Sequence, residues 1–258
     1  MTSAPRPADD RRVDHDAIRT PVGWTGSYLT AVGHEVGTGG LTPAALARAA
    51  VRVLPVEGAA LSILLNVLRL PLGAISDDAR RAEELQTSLG EGPCLDAASA
   101  QQAVLADLDD LGTRWSSYGE ELLTTTPFRS VSAIPLVGPG RGVFAALDVY
   151  STEPRISERL DPHDLDEIPT TVAALLATCI EHVHDIDTPG SGPLWYQEAA
   201  GRRHDVWVAI GMVMAGRASR TRDALSLLRA HAYSNHQSLD DLAADLVEGR
   251  VALADVTD

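Results

Sequence analysis

Hydrophobic and polar positions switch between helical and strand spacing over residues 41–184, which predicts a domain of helices around a sheet. Apolar residues recur at helical spacing from Leu41, where Thr42 followed by Pro43 is a typical helix start. Two β-rich runs, 58–65 and 68–75, lie close enough together to form a hairpin. Residues 78–89 then have a helical pattern, which Gly90 and Gly92 end.

The pattern from residue 103 to residue 183 completes this domain. Residues 103–108 predict a short strand and residues 116–124 a helix. The runs 130–137 and 142–150 predict two strong strands, because the segment between them, GPGRG, consists of turn residues. Residues 162–183 return to helical spacing, with an apolar stripe through Val172, Leu175 and Cys179. The fold class is therefore α+β, with an antiparallel sheet and flanking helices.

The regions on either side of this domain have different patterns. Residues 1–40 have several prolines and glycines and little periodicity, which predicts a mobile arm with at most a short helix. Residues 185–193, DIDTPGSGP, predict a linker. Residues 194–250 predict three helices: the first is apolar on two sides, the second begins near Thr221, and the third begins at Ser238 and ends before Gly249. We expect residues 251–258 to be a tail.

Composition limits the location and the chemistry of the chain. It is 45% hydrophobic and 22% charged, as in ordinary globular proteins. We expect no membrane span, because no apolar run approaches the roughly 20 residues required, and no signal peptide, because residues 1–10 are polar. Cys94 and Cys179 form no disulfide framework, so a cytoplasmic location is predicted.

All 21 basic residues are arginines, so every chemistry that needs a lysine amine is excluded. No catalytic motif for a hydrolase or a metalloprotease is present, and we expect neither an enzyme nor a metal site. The net charge is −15, but most of the acidity precedes residue 194. In the segment after it, acidic and basic residues nearly balance, and this segment contains a cluster of Arg217, Arg220 and Arg222. The asymmetry suggests two domains with different partners, although a solvated helix corner would give the same pattern.

Two stretches of sequence resemble known domain families. Residues 83–96, EELQTSLGEGPCLD, together with VLADL at 104–108, FRSV at 128–131 and the strand 143–150, resemble the GAF domain of actinobacterial sensor-regulators. The segments IGMVM at 210–214, LRAHAYSN at 228–235 and LDDLAADLV at 239–247 are similar to the ANTAR domain. The resemblance spans residues 41–250, in the order GAF then ANTAR.

This resemblance implies a domain arrangement and a function. Residues 41–184 would be a GAF-like sensor domain, and residues 194–250 a three-helix ANTAR bundle. The protein would be a cytoplasmic, signal-responsive transcription antitermination regulator that binds hairpin-containing leader transcripts as a homodimer. The sequence implies no cofactor. The GAF domain would take an unidentified small ligand, or none and act as a dimer scaffold.

The predicted RNA-binding residues surround the second C-terminal helix. Arginines bind phosphates and an aromatic ring stacks on unpaired bases. The candidates are Arg217, Arg220, Arg222, Arg229, His231 and Tyr233. In the alternative interpretation, Tyr233 packs against the third helix and the arginines are only solvated. Val208 and Ile210 stand where ANTAR domains often have a glutamine and a basic residue, so a dimeric protein-interaction scaffold without RNA binding is a second hypothesis.

Two further sets of residues complete the predictions. The ligand pocket of the sensor domain would be lined by Leu61, Ile63, Leu72, Ala74, Cys94, Ile134 and Leu147. The dimer interface would contain Trp207, Gly211, Met214, Val172, Leu175 and Cys179, with the helix 162–183 passing a signal across the dimer. Cys94 follows the tight turn GEGP, so a redox sensor acting through its thiol is a third hypothesis. Glu91 and Asp96 oppose formation of the thiolate.

Overall fold

The structure is a computed structural model that describes residues 23–65, 68–138, 142–181, 193–217 and 220–257. The predicted linker, 185–193, and the first 22 residues of the predicted arm lie outside these ranges, except for Pro193. In chain order the described elements are α1 (Trp24–Gly39), α2 (Pro43–Val53), β1 (Gly58–Leu65), β2 (Leu68–Ala74), α3 (Asp77–Leu89), α4 (Pro93–Ala100), β3 (Val104–Ala106), α5 (Leu108–Arg114), α6 (Ser116–Thr125), β4 (Ser130–Gly138), β5 (Gly142–Ser151), α7 (Pro162–Glu181), α8 (Leu194–Arg217), α9 (Thr221–Ser234), α10 (Leu239–Val247) and α11 (Leu253–Thr257).

The five strands form one antiparallel sheet in the order β2-β1-β5-β4-β3. Leu147 of β5 lies opposite Leu61 of β1 and Ile134 of β4, and these three side chains share one face. Asp148, the next residue, points to the other face because side chains alternate along a strand. The predicted antiparallel sheet with flanking helices is confirmed.

Helices α1, α2 and α7 cover the first face of the sheet and form the main hydrophobic core. Thr42 caps α2 as predicted, its hydroxyl accepting a hydrogen bond from the Ala45 amide. The prediction of a mobile arm to residue 40 is wrong for 24–39, which form α1. Glycines weaken the helical pattern of α1, and tertiary contacts stabilise it instead: Tyr28 is fully buried, and Glu35 binds Arg48 and Arg52 of α2.

Helices α3 to α6 cover the second face. The sequence pattern predicted α3 and α6 but missed α4 and α5, which are short. Gly90 ends α3 in the left-handed conformation, with φ of 72°. Gly92 then precedes Pro93, the first residue of α4, so the GEGP segment is the junction between two helices rather than between a helix and a strand.

The C-terminal helices pack along the open edge of β2. Helix α8 lies against this edge strand, and α9 and α10 pack on α8 around a second hydrophobic core. Leu68 of β2 belongs to that core and is only 3% exposed. Ser238 caps α10 as predicted, and Gly249 follows its end. The region predicted as a tail contains α11.

Candidate functional site

Three arginines lie together at the corner between α8 and α9. Arg217 ends α8, Arg220 is the N-cap residue of α9, and Arg222 lies in its first turn. All three side chains are exposed, and no ion pair between described residues involves them. The Arg220 backbone amide donates to the carboxylate of Asp223, three residues further along the chain. We call Arg217, Arg220 and Arg222 the arginine corner.

The remaining predicted RNA-binding residues lie further along α9 and differ in exposure. Tyr233 is 51% exposed and His231 is half-buried. Arg229 is half-buried against α3, where its Nε donates to the carbonyl oxygen of Thr87 at 3.0 Å. Burial, together with the nearby charge of Arg203, lowers the pKa of Arg229 to about 10. The structure therefore separates Arg229 from the other predicted contacts.

Arg203 is a buried arginine of α8 that was not among the predicted RNA-binding residues. Its Nε donates to the backbone carbonyl of Arg69 at 3.0 Å, and its Nη1 binds the carboxylate of Asp240 on α10. Backbone groups on the outer side of an edge strand have no neighbouring strand as a hydrogen-bond partner. Arg203 donates a hydrogen bond to one such group, a carbonyl of the edge strand β2. Burial lowers the pKa of Arg203, and the nearby carboxylate of Asp240 opposes this shift.

A third polar contact joins the C-terminal helices to α3. The amide of Leu239, the first residue of α10, donates to Ser88 Oγ of α3 at 3.2 Å. We call the surface formed by Leu68, the Arg69 carbonyl, the Thr87 carbonyl and Ser88 the docking face. It presents one apolar side chain and three hydrogen-bond acceptors to the C-terminal helices.

A cleft of about 260 Å³ lies beside the docking face, between α3 and the junction of α9 with α10. His236 at this junction has a positive φ of 53°, an uncommon conformation for a residue other than glycine. Most of the lining is polar or charged. It consists of Arg81, Leu85, Ser88, Leu89, Glu121, Ala232, Tyr233, His236, Gln237, Ser238 and Asp241.

A buried charged cluster lies under α3 and α4, on the second face of the sheet. Arg69 Nη2 donates to Glu83 at 2.7 Å, to Asp148 at 3.0 Å and to Ser62 at 2.6 Å. Tyr150 donates to the second oxygen of Glu83 at 2.8 Å. The guanidinium group of Arg69 therefore binds two carboxyl groups, and all three side chains are at most 3% exposed.

Gln86 connects this charged cluster to α4. Its Nε2 donates to Asp148 at 2.8 Å, and its Oε1 accepts the amide of Cys94 at 2.9 Å. Because the N-cap residue Gly92 has no side chain, Gln86 satisfies a free amide of the first turn of α4. Arg69 Nε, Arg69 Nη1, Asp148 Oδ1 and the Tyr118 hydroxyl are buried without a hydrogen-bond partner among the described residues. The charged cluster and its surroundings therefore contain four polar atoms that are buried in the protein interior without a described hydrogen-bond partner.

The predicted pocket residues do not line one cavity. Leu61, Ile63, Leu72, Ile134 and Leu147 pack in the core with α1, α2 and α7. Ala74 and Cys94 lie on the opposite face, beside the helices that cover the charged cluster. The prediction combined residues from two faces because β2 has a bulge at Leu72, opposite the step from Leu61 to Ser62 of β1. Ala74 therefore does not share the face of Leu72, as strict alternation along the strand would predict.

The position of Cys94 does not suit the redox hypothesis. Its side chain is fully buried, and burial raises the pKa of the thiol well above its usual range, against the opposing effect of Arg69. A reactive cysteine needs solvent access and a substantial thiolate population. Cys94 has neither in this structure.

The residues of the predicted dimer interface lie in two separate parts of the structure and differ in exposure. Val172 and Cys179 are buried in the core, and Leu175 is half-buried against it. The stripe of α7 thus packs on the sheet of its own chain and is not available to pair with a second chain. Trp207 is 41% exposed, Gly211 is exposed, and Met214 is half-buried against the C-terminal core.

The described residues were compared with the requirements of a metal site and of a membrane span. They contain no group of three or more histidine, cysteine, aspartate or glutamate side chains that could hold a metal ion. Within the same ranges, no helix is both long enough and apolar enough to cross a bilayer.

Comparisons with known proteins place this fold in a family. The chain is similar in structure to the GAF domain of a phosphoenolpyruvate-protein phosphotransferase from Coxiella burnetii, with 12% identity, coverage of 61% of this chain and 96% of the other, and a TM-score of 0.45. The corresponding Acinetobacter GAF domain has 16% identity, coverage of 66% and 96%, and a TM-score of 0.45. A search of curated proteins finds no match.

The GAF domain family matches residues 44–180, which is just over half of the chain. This range begins within α2 and ends within α7, so it contains the whole antiparallel sheet, the helices α3 to α6 and most of α2 and α7, but not α1. The match and the topology agree, and the chain therefore belongs to the GAF domain family, whose domains sense signals in regulatory proteins.

Proposed function

We propose that this protein is a signal-responsive transcription antitermination regulator whose C-terminal helices bind hairpins of nascent RNA under control of the GAF domain. The observation that carries the proposal is the exposed arginine corner. Arg217, Arg220 and Arg222 point into solvent without a carboxylate partner among the described residues. Cations presented in this way bind phosphate groups.

The charge of the rest of the protein makes this corner distinctive. With a net charge of −15, most of the surface repels a polyanion. RNA would therefore approach at the arginine corner, and binding would depend strongly on salt, because each phosphate contact releases condensed counterions.

An aromatic side chain extends the same surface. Tyr233 lies eleven residues after Arg222 on α9, which is about three helical turns and about 16 Å along the axis. The angular offset between the two positions is about 20°, so they lie on the same side of the helix. Both are exposed. This arrangement suits a phosphate contact at one end of α9 and stacking on an unpaired base at the other. Arg229 lies between them on the same side of the helix and is held by α3.

The two positions that depart from the ANTAR pattern do not block this surface. Ile210 is 2% exposed and packs in the C-terminal core, and Val208 is half-buried on α8. RNA binding would therefore rest on the arginine corner and on α9, without polar contacts from these two positions of α8.

A salt titration of RNA binding tests the proposal. A labelled twin-hairpin RNA is titrated with the full chain by fluorescence anisotropy, between about 50 and 200 mM salt. Replacing both Arg220 and Arg222 with alanine should weaken binding at least tenfold and reduce the salt slope by about two, since each phosphate contact contributes about 0.9. Arg155→Ala, at an exposed arginine of the GAF domain, is the matched control and should change neither quantity. Equal affinities for the two variants would contradict the proposal.

The second candidate is a dimeric interaction scaffold, which the exposed Trp207 favours. Gly211 lies one helical turn further along α8, and apart from the neighbouring backbone of α8 no atom of the described residues lies within 4 Å of the position its Cβ would occupy. A second chain would bury this apolar strip. Absence of RNA binding at low salt, with a dimer that Trp207→Glu dissociates in light scattering, would favour the scaffold.

A further inference from the structure

Arg229 lies on the same helix as the proposed RNA contacts, yet the sensor domain holds it. Its Nε donates to the last turn of α3, and its guanidinium lies against Gly90, where an added Cβ would approach Nη1 to 2.6 Å. We infer that docking of the C-terminal helices on the GAF domain is autoinhibitory: the docking face withholds Arg229 from RNA until a signal releases it. This inference rests on the proposed function.

The contacts of the docking face suit a reversible interaction. Three of them are hydrogen bonds to acceptors, the carbonyls of Arg69 and Thr87 and the hydroxyl of Ser88, and the donors are Arg203, Arg229 and the Leu239 amide. Each such bond contributes little net stability, because water replaces it after release. Once released, the guanidinium of Arg229 could bind a phosphate instead, whereas Arg203 keeps its ion pair with Asp240 inside the C-terminal helices.

The docking face is also built on the elements that hold the charged cluster. On α3, Glu83 and Gln86 point into the cluster, while the next two residues, Thr87 and Ser88, supply docking acceptors. On β2, Arg69 places its side chain in the cluster and its carbonyl on the docking face. A shift of α3 or β2 inside the GAF domain must therefore move the acceptors that hold the C-terminal helices. This route differs from the predicted route through α7.

The Leu239 amide gives a readout of docking that does not involve RNA. As the first residue of α10, Leu239 has no acceptor within its own helix, and Ser88 Oγ is its partner in this structure. Hydrogen exchange at this amide should therefore be slow in the docked protein and fast after release. Fast exchange in the unmodified full chain would overturn the inference directly.

Leu68→Asn is the variant that should release the docking face. The Leu68 side chain packs with the C-terminal core rather than with the core of the GAF domain. Leu65→Asn is the matched control, because Leu65 is the cross-strand partner of Leu68 in the same hairpin but is 38% exposed. Release should speed exchange at Leu239, tighten binding of the twin-hairpin RNA about tenfold, and steepen its salt slope by about one or more.

A double variant identifies the residue responsible. Adding Arg229→Gln to Leu68→Asn should remove most of the gain in affinity, whereas Arg155→Ala in the same background should not. If Leu68→Asn does not fold, Ser88→Ala removes a docking acceptor at a half-buried position and should produce a smaller change in the same direction.

The outcomes separate the two proposals. Faster exchange at Leu239 without tighter RNA binding would overturn autoinhibition and leave RNA binding by the unmodified chain intact. No RNA binding by either protein would overturn both proposals. RNA binding that appears or strengthens only in the released variant, and that requires Arg229, would support both.

Discussion

Replacing Arg69 with methionine tests the charged cluster most directly. Methionine keeps much of the length of the side chain but removes the positive charge that Glu83 and Asp148 share. Both carboxyl groups are at most 1% exposed, so water cannot take the place of the guanidinium without opening the space between α3 and the sheet. The variant must protonate these groups, admit water or unfold.

The expected loss of stability follows from these contacts. Removing one partner of a buried ion pair costs about 3 to 5 kcal/mol, because it leaves an uncompensated charge in the interior. The free energy of unfolding of a typical domain is about 5 to 15 kcal/mol, so the loss is a large share of the total. We therefore expect Arg69→Met to be marginally folded at neutral pH.

Urea denaturation at neutral pH, followed by circular dichroism, measures this loss. Arg80→Met on α3 is the control, since Arg80 forms surface ion pairs with Asp77 and Glu84 and its side chain is 48% exposed. Surface pairs contribute about 0 to 1 kcal/mol, so the control should remain near the stability of the unmodified protein. A loss below about 1 kcal/mol for Arg69→Met would refute the assignment of Arg69 as the buried counter-ion.

The pH dependence gives a second test of the same variant. Without Arg69, the pKa of Glu83 in the folded protein should rise further above that of the unfolded chain. A raised pKa in the folded state provides stability at low pH that is lost as the pH rises. In the unmodified protein this loss ends near pH 8, where Glu83 ionises, whereas in Arg69→Met it continues to higher pH. The deficit of the variant should therefore grow as the pH rises above about 8. A deficit independent of pH would contradict this account.

Three further predictions concern neighbouring residues. Burial raises the pKa of Glu83 to about 8, against the opposing effect of the nearby cation, so urea titrations should show stability falling between about pH 5 and about pH 8; Glu83→Gln should lack this dependence, and parallel profiles would contradict the assignment. Gly92→Ala should lower the free energy of unfolding by at least about 1 kcal/mol more than Gly249→Ala in the same assay, because both have positive φ but only the Cβ at position 92 would meet Gln86, at 2.5 Å; equal losses would count against it. The Cys94 thiol should react with a thiol reagent at about pH 8 only as fast as the protein opens, and rapid labelling of the native protein would revive the redox hypothesis.

The family resemblance and several element boundaries could be predicted from local sequence. Strand β1 coincides with the predicted run 58–65, because β-rich residues and a close turn are local signals. The helix starts at Thr42 and Ser238 were predicted for the same reason, since a capping side chain bonds to an amide only three residues away. The GEGPC segment carried much of the resemblance to GAF domains, and the GAF family match confirms that part of the prediction.

Only the tertiary structure decided which groups are buried and which helices contact each other. The residues of β2, LRLPLGA, place an arginine between two leucines, which would ordinarily put Arg69 on a solvated face, yet α3 and α4 enclose it with Glu83. Helix α1 was missed because its stability comes from contacts with α2 and α7 rather than from its own periodicity. Likewise, sequence placed Arg229 with the exposed arginines, while the packing of α9 against α3 placed it on the docking face. Periodicity identifies residues that share a side of a helix or strand, but the neighbour on that side is fixed only when distant segments pack together.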